Sequence, residues 1–295
     1  MLSFFKAILV FGALGMKWLM AGSKVISGIK SLRMAFAALR FLLFLLWAGL
    51  QIPFLLFIAT FWRRFGIWQM RIFMRGWAIL FGMRFRVHGA LDTHRPLMVV
   101  ANHISLFEVV LFPAMFGTAF FVKGEVKSWP ILGWFVKNFG NAFIDRRASK
   151  AAEALETIKR QMKTAKNPFV IFPEGTTSNG DYVLPFKSAP FEFLGDVPDA
   201  KIQPVAIIYR DKYGNKLSPQ VLADEYAYFD NKKQTQPPYA TKELGIGALL
   251  WRNLMRGGFL VEAYVMPVYS ANGKDRKTIA TDLHKIVEKK FLECK

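Results

Sequence analysis

Five residues after His103 comes an acid, Glu108, and just before it stand Asn102 and the β-branched pair Val99-Val100. A histidine one or two residues beyond a strand stands at the strand's C-terminal end, the edge where α/β folds place their sites. If a helix begins near Ser105, Glu108 lies about one turn in and its carboxylate can reach back to the imidazole. A carboxylate on one ring nitrogen fixes the tautomer and stabilises the imidazolium, leaving the other nitrogen as a general base. The motif holds no obvious nucleophile of its own, so the chemistry it suggests is removal of a proton from a substrate hydroxyl. Taken alone, the spacing also describes a polar strand-end histidine capped by chance.

A second dense stretch, Phe172-Pro173-Glu174-Gly175-Thr176-Thr177-Ser178-Asn179-Gly180, follows the apolar run Phe169–Phe172. It stands at a strand end, as His103 does. Gly175 allows close backbone approach, and the hydroxyls and amides after it can bind an oxyanion or a phosphate. A β-turn rich in turn-forming residues has the same composition.

These stretches need a scaffold. Short β-type runs occur at Leu97–Ala101, Ala119–Val122, Phe169–Phe172, Pro204–Tyr209 and Leu260–Val265. Helical patterns separate several of them. The clearest is Ala148 to Lys166, with Ala151, Leu155, Ile158 and Met162 on one face and Ser149 placed to cap its start. Asp275 to Phe291 reads as a charged amphipathic helix with Ile279, Leu283, Ile286 and Val287 inward. Strands alternating with helices predict an α/β domain with helices packed on a sheet. Residues 210 to 247 read as a long irregular excursion.

The first 82 residues differ in kind. Residues 4 to 22 are apolar apart from Lys6 and Lys17, which with Lys24 nearly superimpose on one helical face at about 100° per residue. That pattern fits an interfacial helix; a secretory signal peptide is the rival, against which the internal lysine and the lack of an A-x-A-like site count. Phe41 to Trp62 runs 22 residues without a charge, enough to cross a bilayer as a straight helix. Cations flank both ends, and Gln51 and Pro53 sit at its midpoint, where proline removes a helix bond. A two-helix hairpin dipping into one leaflet is the expectation, with a full span as the alternative. Residues 65 to 82 mix Trp68, Phe73, Trp77 and Phe81 with Arg71 and Arg75 and read as an aromatic-basic interfacial segment. Residues 1–82 are therefore expected to anchor a domain formed by residues 83–295.

The formal net charge is +19 over 295 residues, of which 53% are hydrophobic and 29 are Phe. So basic a chain needs an anionic partner. Cations interleaved with apolar runs favour membrane lipids over nucleic acid, for which charge is the sole support. The single cysteine, Cys294, can form no intrachain disulfide, which favours a reducing compartment. No His/Cys cluster has metal-ligand spacing.

Together the stretches form an ordered set: Asn102-His103-x4-Glu108, Lys123-Gly124-Glu125, Gly140-Asn141-Ala142-Phe143-Ile144-Asp145-Arg146, Phe172-Pro173-Glu174-Gly175-Thr176, Leu184-Pro185-Phe186-Lys187 and Gln203-Pro204-Val205. Their order and approximate spacing resemble the glycerolipid acyltransferases, the family that includes 1-acylglycerol-3-phosphate acyltransferase, over about residues 85 to 270. The resemblance implies the family's αβ acyltransferase domain, a mixed sheet flanked by helices, behind N-terminal membrane-associated helices. It implies an O-acyltransferase that moves a fatty acyl group from acyl-CoA or acyl carrier protein to the hydroxyl of a lysophospholipid, with neither metal nor bound cofactor. His103 would be the general base, and Glu108 takes the place of the family's Asp. Arg146 and the loop of Glu174, Gly175, Thr176 and Thr177 would bind the acceptor's glycerophosphate, with Lys123 and Lys187 as further cations. The site would face the cytoplasm, at the inner membrane if the chain is bacterial.

Two positions depart from the family's pattern. Glu108 is one methylene longer than Asp. Thr177 stands where members acting on lysophosphatidic acid often carry Arg, so a guanidinium fork is missing there. The Thr-Thr-Ser-Asn-Gly version looks more like members that reacylate other lysophospholipids or lyso-aminolipids. A lyso-ornithine lipid O-acyltransferase and a catalytically inactive lipid-binding homologue are accordingly the alternatives.

Overall fold

The computed structural model describes residues 24–61, 66–128, 141–144, 150–218, 221–222 and 246–295. The expected interfacial helix over residues 4–22, Arg146, the Ser149 cap and most of the excursion at 210–247 lie outside them.

Among the described residues the N-terminal segment forms a helical pair. Helix α1 (Lys24–Phe61) runs without a break through Pro53, so the hairpin expected within residues 41–62 does not form. One proline in a long apolar helix removes a single hydrogen bond, which neighbouring groups can compensate. The chain instead returns as α2 (Gly66–Leu80). Gln69 donates to Gln51, Trp47 Nε1 donates to the Phe73 carbonyl at 3.3 Å, and Phe44 packs on Trp77 at 5.1 Å. These pairs run in opposite directions along the two helices, which are therefore antiparallel. A Cβ on Gly76 would lie 2.3 Å from the Trp47 ring, so only glycine admits that ring. Residues Ser31–Leu55 are long and apolar enough to cross a membrane, and Leu32, Phe36, Leu42, Leu46, Leu50 and Phe54 point outward from the protein.

Among the described residues seven strands follow: β1 (Met83–His88), β2 (Leu97–Ala101), β3 (Ala119–Lys123), β4 (Ala142–Ile144), β5 (Phe169–Ile171), β6 (Lys201–Arg210) and β7 (Phe259–Val265). They form one sheet in the order β1-β7-β6-β2-β5-β3-β4. Of these strand pairings β6–β7 is antiparallel and the others are parallel. The sheet is thus mixed, as the resemblance implied. β2 is buried at every position, which is why it reads as an unbroken apolar run rather than an alternating one.

Both faces are covered. On one, Val99, Ala101, Val205 and Ile207 pack against Phe107, Leu111 and Phe112 around α3 (Glu108–Phe116), and that cluster continues into Phe73 and Phe81 of the helical pair. On the other, Met98, Val100 and Ile202 meet Ile158 and Met162 of α4 (Ala151–Lys163) and Ile279 and Leu283 of α6 (Arg276–Cys294). Each fully buried Phe or Leu contributes about 1.5–3 kcal/mol. Helix α5 (Ile246–Arg256) packs near α1. Asp275 caps α6, accepting from the amides of Lys277 and Thr278.

Candidate functional site

β2 and β5 run parallel, with Val100 opposite Ile171. His103 and Glu174 each lie three residues further on, so the register brings the two dense stretches to one sheet edge. The His103 backbone N–H donates to Glu174 Oε1 at 2.6 Å, and the Ser178 N–H donates to the His103 carbonyl at 2.7 Å. The histidine backbone is therefore held on both sides by the second stretch.

Its side chain is held by Glu108. His103 Nδ1 and Glu108 Oε2 are 2.6 Å apart. The helix does not begin near Ser105 as expected. A turn occupies residues 106–107, and α3 starts at Glu108 itself. The carboxylate reaches back from the helix's first position, where the helix dipole favours negative charge. It also accepts from the amides of Ser105 at 2.9 and 3.0 Å and of Ile104 at 3.3 Å. Glu108 is fully buried while the His103 side chain keeps 19% of its surface. A buried charge is tolerable only when paired and hydrogen-bonded, and this one is both. One imidazole nitrogen is thus engaged from within, and the ring stays open to the outside.

Asn102 and Phe172 complete the frame, and neither was assigned a role from the sequence. Asn102 donates to the Ile207 carbonyl at 2.9 Å and accepts from the Ile207 amide at 2.7 Å, tying the end of β2 to β6. Phe172 stacks on the imidazole at 4.3 Å and 13°. An amide residue closing a wholly apolar strand was the available signal for Asn102: buried polar groups need partners.

The remaining expected residues separate into groups. Glu174 is 3% exposed, and its second oxygen accepts from the Leu184 amide at 2.9 Å. Burial pushes its carboxyl up to about 8, against the pull of the two amides. Both oxygens are occupied by the protein's own backbone. Gly175 is exposed with φ +74°, and the Lys187 ammonium nitrogen lies 2.5 Å from where its Cβ would be. Thr176 is half-buried beside it, whereas Thr177 is buried. Lys123 ends β3 at the same sheet edge; its side chain, like all of Arg146, lies outside the described residues. Among the described residues no three of His, Cys, Asp or Glu gather as a metal site.

Helix α2 reaches the site from behind. Arg71 Nη2 donates to the Met115 carbonyl at 2.8 Å and Arg75 Nε to that of Ala114 at 3.0 Å. Two cations thereby close the negative end of the helix that carries Glu108. The two arginines of the aromatic-basic segment thus join the helical pair to α3.

Residues 84–208, which span β1 to β6 and contain His103, Glu108 and Glu174, match the family model described as Acyltransferase. The stretch that carries the site is therefore acyltransferase-like. Similar proteins include the lyso-ornithine lipid O-acyltransferases of Rhizobium meliloti, 34% identical over 50% of this chain and 52% of the relative, and of Brucella abortus, 36% identical over 50% and 58%. The 1-acyl-sn-glycerol-3-phosphate acyltransferase of Neisseria gonorrhoeae is 30% identical over 61% of this chain and 63% of its own length. The chain thus spans about half the length of the first of these relatives. The solved 1-acyl-sn-glycerophosphate (LPA) acyltransferase of Thermotoga maritima shares the fold, with a TM-score of 0.60 at 20% identity over 88% of this chain and 97% of that one.

Proposed function

We propose that the chain is an O-acyltransferase that transfers a fatty acyl group from a thioester, acyl-CoA or acyl carrier protein, to the free hydroxyl of a lysophospholipid. The 2.6 Å contact between His103 and the buried Glu108 carries this reading. With Glu108 ionised, Nδ1 is the donor and Nε2 the base. His103 Nε2 takes the proton of the acceptor hydroxyl as its oxygen attacks the thioester carbonyl. The tetrahedral intermediate collapses with cleavage of the C–S bond. The imidazolium returns its proton to the departing thiolate, so no net proton is consumed. Stacking on Phe172 keeps the ring in plane.

In this reading Glu174 positions His103 rather than touching substrate. Gly175, Thr176 and Lys187 form the open part of the loop and receive the acceptor's anion, with Lys123 and Arg146 adding charge, while buried Thr177 shapes the loop from within. Residues 1–82 anchor residues 83–295 to the membrane. The outward apolar face of α1 supports a bilayer seat, with the site served from the cytoplasmic face, where thioester donors are found.

A second reading concerns the acceptor. Thr177 supplies no guanidinium, and two of the relatives are named lyso-ornithine lipid O-acyltransferases. A lyso-aminolipid acceptor requires no phosphate fork. Purified chain incubated with labelled acyl-CoA or acyl carrier protein and a lysolipid panel tests both readings. Transfer to 1-acylglycerol-3-phosphate supports the first, and transfer confined to lyso-ornithine lipid supports the second. Absence of transfer to any lysolipid from either donor overturns both.

A further inference from the structure

Away from His103, the other edge of the sheet encloses a cavity of about 330 Å³ lined by Arg84, Arg86, Arg210 and Lys212. Register explains the gathering. Arg84 and Arg210 both pair with Leu260, and Arg86 pairs with Glu262, so the side chains of β1, β6 and β7 share one face. Glu262 is the one carboxylate in the lining, and its oxygens are committed. Oε2 accepts from Arg210 Nε at 2.5 Å, and Oε1 lies 3.3 Å from both Arg86 Nη1 and His88 Nε2. Burial pushes this carboxyl up, but Arg210 and His88 outweigh burial and hold it below the usual range, so it is ionised at neutral pH. Arg210 also donates to the Cys294 carbonyl at 2.6 Å. Asp211, next along the chain, accepts from the amides of Tyr213 and Asn215. Among the described residues Arg84 and Lys212 have no carboxylate partner. The cavity therefore keeps a surplus of positive charge around the Arg86–Glu262–Arg210 cluster.

We propose that this cavity binds the phosphate of an anionic membrane lipid, with Arg84 and Lys212 as its direct ligands. Guanidinium and ammonium groups match phosphate oxygens in charge and geometry. The neighbouring helix argues for a lipid over free phosphate. The Cβ position of Gly257 lies 3.7 Å from Lys212 Nζ and 4.0 Å from Arg40 Nη1, so Arg40 of α1 extends the basic strip toward the helical pair. One turn to either side of Arg40, Phe36 and Leu43 are 59% and 42% exposed. A headgroup in the cavity would have its acyl chains beside that apolar face. None of these residues belongs to the site at His103, so the inference goes beyond the transfer reaction and does not depend on it.

Native mass spectrometry of the full chain in detergent, with equal dioctanoyl phosphatidylglycerol and phosphatidylcholine, tests the proposal. Retention of phosphatidylglycerol over phosphatidylcholine is expected, with the preference falling at least fivefold in Arg84→Ala/Lys212→Ala. Lys285→Ala/Lys289→Ala, which removes two exposed lysines of α6, controls for net charge. If the alanine pair does not fold, Arg84→Gln/Lys212→Gln takes its place. An equal loss in the control overturns the proposal, as does an unchanged preference in the cavity variant. In a second arm, inorganic phosphate is titrated by calorimetry. If the cavity substitutions weaken phosphate binding yet leave the lipid preference intact, the occupant is free phosphate and the lipid assignment is wrong.

Discussion

The backbone amide of His103 is bound by the carboxyl of Glu174, 71 residues away, at 2.6 Å. Glu174 spans two segments, since its other oxygen holds Leu184. Glu174→Gln keeps the shape but turns one oxygen into a donor, which leaves one amide unpaired. A stability loss of about 1–3 kcal/mol is expected, with kcat falling more than KM rises. Denaturant unfolding in detergent, together with steady-state kinetics, measures both.

The same carboxyl gives a pH signature. Burial raises it to about 8 in the fold, whereas in the unfolded chain it ionises near the usual carboxyl value of about 4.3. Between these values the folded state binds the extra proton, so this group's contribution to stability is present at low pH and lost as pH rises toward 8. Unfolding of wild type and Glu174→Gln at pH 5, 6.5 and 8 isolates it. Wild type should lose stability relative to the variant as pH rises, by a few kcal/mol in order of magnitude. A constant difference contradicts the assignment.

Glu108 makes contact with both His103 and the Ser105 amide, so the longer acid already fits its place. Glu108→Gln, which cannot hold the Nδ1 proton as an anion, should lower kcat about 10²–10⁴-fold, on the scale of general-base contributions. Glu108→Asp should stay within about tenfold of wild type. A hundredfold gain on shortening the side chain would point instead to a compromised site.

Helix pairing depends on the space above Gly76. Gly76→Leu drives a side chain into Trp47, and overpacking of this kind costs about 1–3 kcal/mol. The expected result is a lower melting temperature in detergent, partly restored by adding Trp47→Ala. No restoration would mean that the two helices do not meet there.

The sequence pattern exposed the contact between His103 and Glu108 better than its supports. His103 and Glu108 stand close in the chain, so their spacing alone predicted that the carboxylate could reach the imidazole, as it does. The bracing of His103 by Glu174 depends on the β2–β5 register, which no local pattern carries. Glu174 accordingly resembled a substrate ligand. β1 alternates Met83, Phe85 and Val87 with Arg84, Arg86 and His88, a period-two signal that the basic residues obscured. Pro53 suggested a break because proline is costly in helix interiors, yet α1 continues through it, since a single hydrogen bond is removed. The bonds of Arg71 and Arg75 were not legible in the interfacial pattern of residues 65–82 because the carbonyls they bind, at Met115 and Ala114, lie 44 and 39 residues downstream.

The most direct test of the mechanism is single-turnover acyl transfer by purified full chain carrying His103→Ala, with the acceptor that wild type uses best. The transfer rate should fall at least 10³-fold while the melting temperature stays near that of wild type, because the brace from Glu174 holds the backbone rather than the ring. Transfer at the wild-type rate would contradict the assignment of His103 as the base.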